Sequence, residues 1–159
     1  MMRVIPQYAP EVTKITWADA MLKIDADVRE DKFICIRHND DEYTLHTKDK
    51  LMVVRGELPT IVCESSYVPT SFLPVCQKVQ KNFGMTEFHT YVSMSKKTST
   101  FGRHNDTTDV LIVQAMGTVT YRFDDDRLVR LRPGDAVLIP EGVYHDPIVH
   151  GPRVTLSFS

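Results

Sequence analysis

The chain has 159 residues, 42% of them hydrophobic and 25% charged, and a net charge of −2. That length suits one domain with a sizeable core. A charge so near neutrality gives no bulk attraction to nucleic acid or to an anionic membrane, no apolar run is long enough to span a bilayer, and residues 1–8 carry no apolar segment of the kind a secretory signal needs.

The first dozen residues read as an irregular lead-in punctuated by Pro6 and Pro10. Thr16 is placed to cap a short helix over 17–23, with Trp17, Ala20, Met21 and Ile24 on one stripe. Residues 33–37 form a short β-like run, 39–42 a charged turn, and 51–55 and 60–63 two more short strands. Residues 71–82 predict a second helix closed by Gly84, with Phe72, Val75, Val79 and Phe83 at helical spacing. Three cysteines, Cys35, Cys63 and Cys76, lie far apart among apolar neighbours. Their odd number and the lack of a CxxC pair fit small buried hydrophobes in a reducing cytoplasm.

From residue 87 the texture changes. Strand-like runs at 87–94, 109–115, 118–123, 128–131, 136–139 and 153–158 follow one another without a helix. Gly117, the Asp124-Asp125-Asp126 tip, Pro133-Gly134, Pro140-Glu141-Gly142 and Gly151-Pro152 separate them as turns. Short strands at this spacing predict a mainly β sandwich, jelly roll or barrel. We expect one domain, 1–159, in which 1–84 supplies helices and supporting strands and 85–159 the barrel core. Lys96-Lys97 reads as a solvated loop.

The chemistry concentrates in His104-Asn105-Asp106 and a distant His145. In a strand, i and i+2 point to one face, so His104 and Asp106 can reach one metal ion. The same phase runs on through Thr108, Val110, Ile112 and Gln114, and both phases beyond Asp109 are apolar, as in a strand covered on both sides. Closure of a barrel brings His145 opposite the pair. Two imidazoles and one carboxylate leave open coordination positions, the pattern of non-heme Fe(II) rather than of a closed structural zinc site. His38, His46, His89 and His150 lack ligand spacing.

Pro133-Gly134-Asp135 followed by Pro140-Glu141-Gly142-Val143-Tyr144-His145 resembles the second cupin motif. The run from His104 to Gly117, with Asp106, Asp109-Val110 and Gln114, is similar to the metal strand of JmjC-type and ribosomal-oxygenase-like cupin oxygenases. Asp106 stands where many small cupins have His, and Val110 or Leu111 where they have a Glu ligand. The resemblance implies a double-stranded β-helix with about two amino-terminal helices packed on it. It also implies Fe(II) bound by His104, Asp106 and His145, and 2-oxoglutarate as cosubstrate with O₂.

The implied activity is a hydroxylase, and a peptide or protein side chain is the substrate class suggested. One departure stands out: where that branch carries a basic anchor for 2-oxoglutarate, this chain has Val119, and Arg122 points to the other face by strand period. Arg153-Val154-Thr155 resembles the Arg-x-Ser/Thr of other 2-oxoglutarate oxygenases, so Arg153 and Thr155 are the expected anchor, with Tyr91 as a further contact. An arginine fork suits a carboxylate. Two alternatives stay open: a metal-dependent cupin dioxygenase or isomerase that does not use 2-oxoglutarate, and a non-enzymatic ligand-binding cupin. Barrels of this size often pair, which leaves a homodimer open as well.

Overall fold

The computed structural model of the protein describes residues 1–38, 42–45 and 59–159. The strand expected at 51–55, the turn at 39–41, His46 and the side chain of His38 lie outside the described residues. The fold is mainly β, a double-stranded β-helix backed, among the described residues, by two helices.

The lead-in is more ordered than its sequence implies. Strand β1 (Arg3–Ile5) pairs with β9 (Ala136–Ile139), and a single-turn 3-10 helix follows at Pro10–Lys14. The Pro133-Gly134-Asp135 turn pins this segment: Gln7 N donates to Asp135 Oδ1 at 2.9 Å, and Ala9 N to the Gly134 carbonyl at 2.9 Å.

Helix α1 spans Trp17–Glu30, a full turn and more beyond the expected end. Thr16 caps it in a reciprocal box, its hydroxyl accepting from Asp19 N and its own N–H donating to Asp19 Oδ2 at 2.9 Å. The apolar stripe is interrupted at Lys23 and Asp27, which are nevertheless buried. Lys23 Nζ donates to Asp27 Oδ1 at 3.0 Å and to the Ser65 carbonyl at 2.7 Å, while Ser65 N donates to Asp27 Oδ2 at 2.8 Å. Met21, expected on the inner stripe, is exposed.

Helix α2 (Leu73–Phe83) follows a 3-10 turn at Thr70–Phe72 and ends at Gly84 with φ +73°, the left-handed cap expected of it. Phe72, Val75 and Val79 are fully buried.

One sheet has the order β1-β9-β6-β11-β5-β4-β2-β3, where β2 is Phe33–His38, β3 Glu42–Leu45, β4 Thr60–Cys63, β5 Phe88–Ser93, β6 Val110–Met116 and β11 Arg153–Phe158. The other has the order β10-β7-β8, with β7 Val119–Phe123, β8 Leu128–Leu131 and β10 His145–Val149. Every pairing among the described strands is antiparallel.

Strand alternation sets apart the two larger parts of the core, beside a smaller cluster at Phe33 and Cys35. Leu111, Val113, Val154, Leu156 and Phe158 face the helical layer with Val12, Ala20, Phe72, Val75 and Val79. Val110, Ile112, Val119, Tyr121, Phe123, Leu131, Val137 and Ile139 fill the space between the sheets. Each of the Val, Leu, Ile and Phe side chains among these contributes about 1.5–3 kcal/mol on burial. The front of β11 is thus held against the barrel interior by an apolar back. Cys35 and Cys63 are buried and Cys76 half-buried, and burial pushes the Cys35 and Cys76 thiols up to about 11, so none is poised as a thiolate.

Candidate metal centre

His104 and His145 meet as a two-residue antiparallel bridge. His104 N donates to the His145 carbonyl at 2.9 Å and His145 N to the His104 carbonyl at 2.8 Å. Their flanking loops are clasped as well. Gly142 N donates to the Asp106 carbonyl at 2.9 Å, and Glu141 N to the Asp109 carboxylate at 2.9 Å. The Pro140-Glu141-Gly142 turn is therefore fastened along the loop that carries Asn105 and Asp106.

This backbone frame gathers three ligand-type atoms, one each from His104, Asp106 and His145, within 4.8 Å of one another. His145 Nε2 lies 3.5 Å from Asp106 Oδ2. Both rings are fixed from behind: His104 Nδ1 is 2.8 Å from the Gly102 carbonyl and His145 Nδ1 3.0 Å from that of Val143. A carbonyl only accepts, so Nδ1 of each ring carries a proton, and in the neutral tautomer this selects, the lone pair of Nε2 is the one left for a metal. Burial depresses the His145 pKa, with further lowering from His104 and opposition from the Val143 carbonyl and Asp106, which favours the neutral imidazole a metal requires. The donor set, its tautomers and its open side fit a divalent metal with exchangeable positions.

The same cleft is walled by Tyr91, Phe101, Ile112, Tyr121, Arg153 and Ser157. Arg153 begins β11, opposite Ser93 of β5, with its side chain 2% exposed. Its Nε donates to Ser93 Oγ at 3.0 Å and its Nη1 to Thr155 Oγ1 at 2.9 Å. The Tyr121 hydroxyl is within its reach, and its guanidinium lies 5.6 Å from the Tyr91 ring centre. A guanidinium has five N–H donors. These partners take at most three, and among the described residues no carboxylate forms an ion pair with it. Desolvation lowers the Arg153 pKa, the cost of a buried cation lacking an opposite charge.

Thr155 stands behind Arg153. It accepts from that guanidinium and donates to Gln114 Oε1 at 2.8 Å, and Gln114 Nε2 donates to the Met116 carbonyl at 2.7 Å. Val119 is fully buried in the inner core, and Arg122 lies on the outer face, 2.5 Å from Asp146. Burial raises the Tyr91 and Tyr121 pKa values, so both phenols keep their protons at neutral pH.

Residues expected elsewhere stay apart from the cleft. His89 borders a hollow beside α2, and His150 is bonded to Thr120. Asp124 is paired with Arg103 through two bonds of 2.8 and 2.6 Å. Sequence reading missed Tyr121 and Phe101 as cleft walls. Tyr121 had a signal, since it shares a strand face with Val119. Phe101 lies in an irregular loop whose direction no periodicity gives; its ring stands edge-on to Tyr91 at 6.3 Å and to His104 at 5.7 Å.

Residues 90–158 match the family model of the AraC-like ligand binding domain. No curated protein sequence matches the chain. Among solved structures, the fold is similar to that of a ribosomal oxygenase, YcfD, from Escherichia coli, at 18% identity and a TM-score of 0.72, covering 99% of this chain and 48% of that one. YcfD in complex with cobalt and 2-oxoglutarate matches at 17% identity and a TM-score of 0.72, covering 100% and 48%. Its complex with cobalt and succinic acid matches at 18% and 0.73, covering 99% and 48%. The chain spans about half the length of these structures, and at this identity what it shares with them is the double-stranded β-helix fold.

Proposed function

We propose that the protein is an Fe(II)- and 2-oxoglutarate-dependent oxygenase. One observation carries the reading: the buried Arg153 guanidinium, without a carboxylate partner among the described residues, walls the same cleft as His104, Asp106 and His145. A buried cation needs an opposite charge, and a dicarboxylate that also reaches the metal supplies it. In this reading His104, Asp106 and His145 hold iron, and Arg153 and Tyr91 hold the far carboxylate. Thr155 acts through Arg153, fixing the fork from behind. Bound there, iron supplies the redox chemistry that couples decarboxylation of 2-oxoglutarate to hydroxylation of a second substrate. Phe101, Ile112 and Tyr121 exclude water from the space between. A peptide or protein side chain is the substrate class favoured, through the fold shared with a ribosomal oxygenase.

The match of residues 90–158 to a ligand binding domain favours a second reading, in which Arg153 holds a carboxylate ligand without turnover. Succinate separates the two. Under the first reading, protein supplied with Fe(II), 2-oxoglutarate and O₂ forms succinate, and His104→Ala abolishes both succinate formation and metal binding while leaving the far-ultraviolet circular dichroism unchanged. Binding of 2-oxoglutarate to the Mn(II)-loaded protein without succinate formation would favour the second. Arg153→Gln is expected to weaken that binding about tenfold to a hundredfold, the worth of a charge-assisted pair of hydrogen bonds.

A further inference from the structure

A chain of hydroxyls connects Arg153 to the loop that roofs the cleft. Arg153 Nε donates to Ser93 Oγ at 3.0 Å, Ser93 Oγ lies 2.9 Å from Thr60 Oγ1, and Thr60 Oγ1 lies 2.5 Å from the Ser99 carbonyl. Thr98 Oγ1 adds a contact to Thr60 at 3.1 Å. The direction of every proton is fixed from both ends. A guanidinium only donates and a carbonyl only accepts, so the order runs from Arg153 to Ser93, to Thr60, to Ser99. Ser93 and Thr60 are fully buried, where aligned hydrogen bonds strengthen one another and a broken one is costly. Two residues beyond Ser99 stands Phe101, packed on both Tyr91 and His104. The chain thus starts at the cation of the cleft and ends at the strap that closes it.

We propose that Thr60 and Ser93 are positioning residues for the carboxylate site: they aim Arg153 and hold the 98–101 strap, with Phe101, over the bound cosubstrate. This rests on the reading of Arg153 as a carboxylate anchor. It gives β4, from the amino-terminal half of the chain, a part in the site. Thr60 lies outside the lining of the cleft and acts only through its three neighbours, Ser93, Thr98 and Ser99.

The test is calorimetric titration of Mn(II)-loaded protein with 2-oxoglutarate under anaerobic conditions, beside titration of the metal-free protein with Mn(II). Thr60→Val keeps the shape and removes the hydroxyl. It is expected to weaken 2-oxoglutarate about tenfold and leave Mn(II) affinity within twofold, and Thr60→Ser is expected to restore wild-type binding. If Thr60→Val does not fold, Ser93→Ala breaks the same chain one step nearer Arg153, with the same expectation. Wild-type 2-oxoglutarate binding in the variant overturns the relay, as does equal weakening in Thr60→Ser, or a parallel loss of Mn(II). Arg153→Gln tells these failures from failure of the anchor itself. If it binds 2-oxoglutarate as the wild type does, the anchor assignment falls and the relay with it; if it alone loses binding, the anchor stands and the relay falls.

Discussion

His145 shows how much one side chain's surroundings decide. Its Nδ1 faces a carbonyl, its Nε2 faces Asp106, and burial disfavours its charged form. The folded pKa is therefore below the ordinary imidazole value of about 6.5. Between those two values the unfolded chain binds a proton that the folded chain does not, so stability rises with pH across that window. The metal-free protein is expected to hold its full stability above about pH 6.5 and lose part of it as pH falls towards the folded value. The depressed carboxyls, Asp19 beside Thr16 and Asp124 beside Arg103, act only below their own ordinary range and leave this window clear. Urea unfolding of chelator-treated protein at several pH values from 7.5 down to 5 reads the slope directly. His145→Asn is expected to flatten it, and an unaltered slope in that variant would assign the effect to other groups.

Among the elements, the turns place the site, and two glycines show it by contrast. Gly117 joins β6 to β7 at φ +70°, and a Cβ there would lie 2.2 Å from the Pro152 carbonyl oxygen and 3.2 Å from Arg153 Cα. Gly142, at φ +76° in the turn before His145, has nothing within 4 Å of its virtual Cβ. Gly142→Ala meets only the left-handed backbone penalty, about 1–2 kcal/mol. Gly117→Ala adds a clash with rigid backbone, which puts its cost above about 3 kcal/mol and displaces Arg153. Denaturant titration of both variants should rank them so, and only Gly117→Ala should also weaken 2-oxoglutarate. Equal losses would mean that the β10–β11 turn yields freely.

These turns were legible because Gly and Pro mark them, and β6 was legible because both its faces are apolar. Strand alternation predicted the pairing of His104 with Asp106 for the wrong reason: residues 105–109 form a loop ahead of β6, which starts at Val110, and that loop, clasped to the turn at 140–142, sets Asp106 beside His104. Strand β10 was not read, since His145, Asp146 and Pro147 give no alternating apolar pattern. The relay from Arg153 to Ser99 was not read either: serines and threonines on β4 and β5 look ordinary until strand register sets Val62 opposite Tyr91 and Arg153 opposite Ser93.

At the scale of the whole molecule, the strand that bears Arg153 is backed by a layer that lies away from the cleft. The helices cover the back of β11, whose front bears Arg153, and α1 is fastened to the segment after β4 by the buried Lys23, Asp27 and Ser65 cluster. Lys23 also lies 5.3 Å from the centre of the Phe88 ring, which stacks on Phe158 at the end of β11. The charges inside the helix stripe explain why periodicity ended α1 too early. They also make the cluster brittle, because removing either partner strands the other charge away from water. Asp27→Ala leaves the Lys23 ammonium uncompensated and the Ser65 N–H without its acceptor. The expected loss is about 3–5 kcal/mol, against about 1–2 kcal/mol for Ser65→Ala, which removes only a hydroxyl from the network. Since this cluster lies across the sheet from the cleft, the Asp27→Ala protein that remains folded should bind Mn(II) and 2-oxoglutarate with native affinity. Denaturant unfolding gives the first quantity and calorimetry well below the unfolding midpoint the second. Weakened 2-oxoglutarate binding by fully folded Asp27→Ala protein would show instead that the helical layer sets the aim of β11, not just its stability.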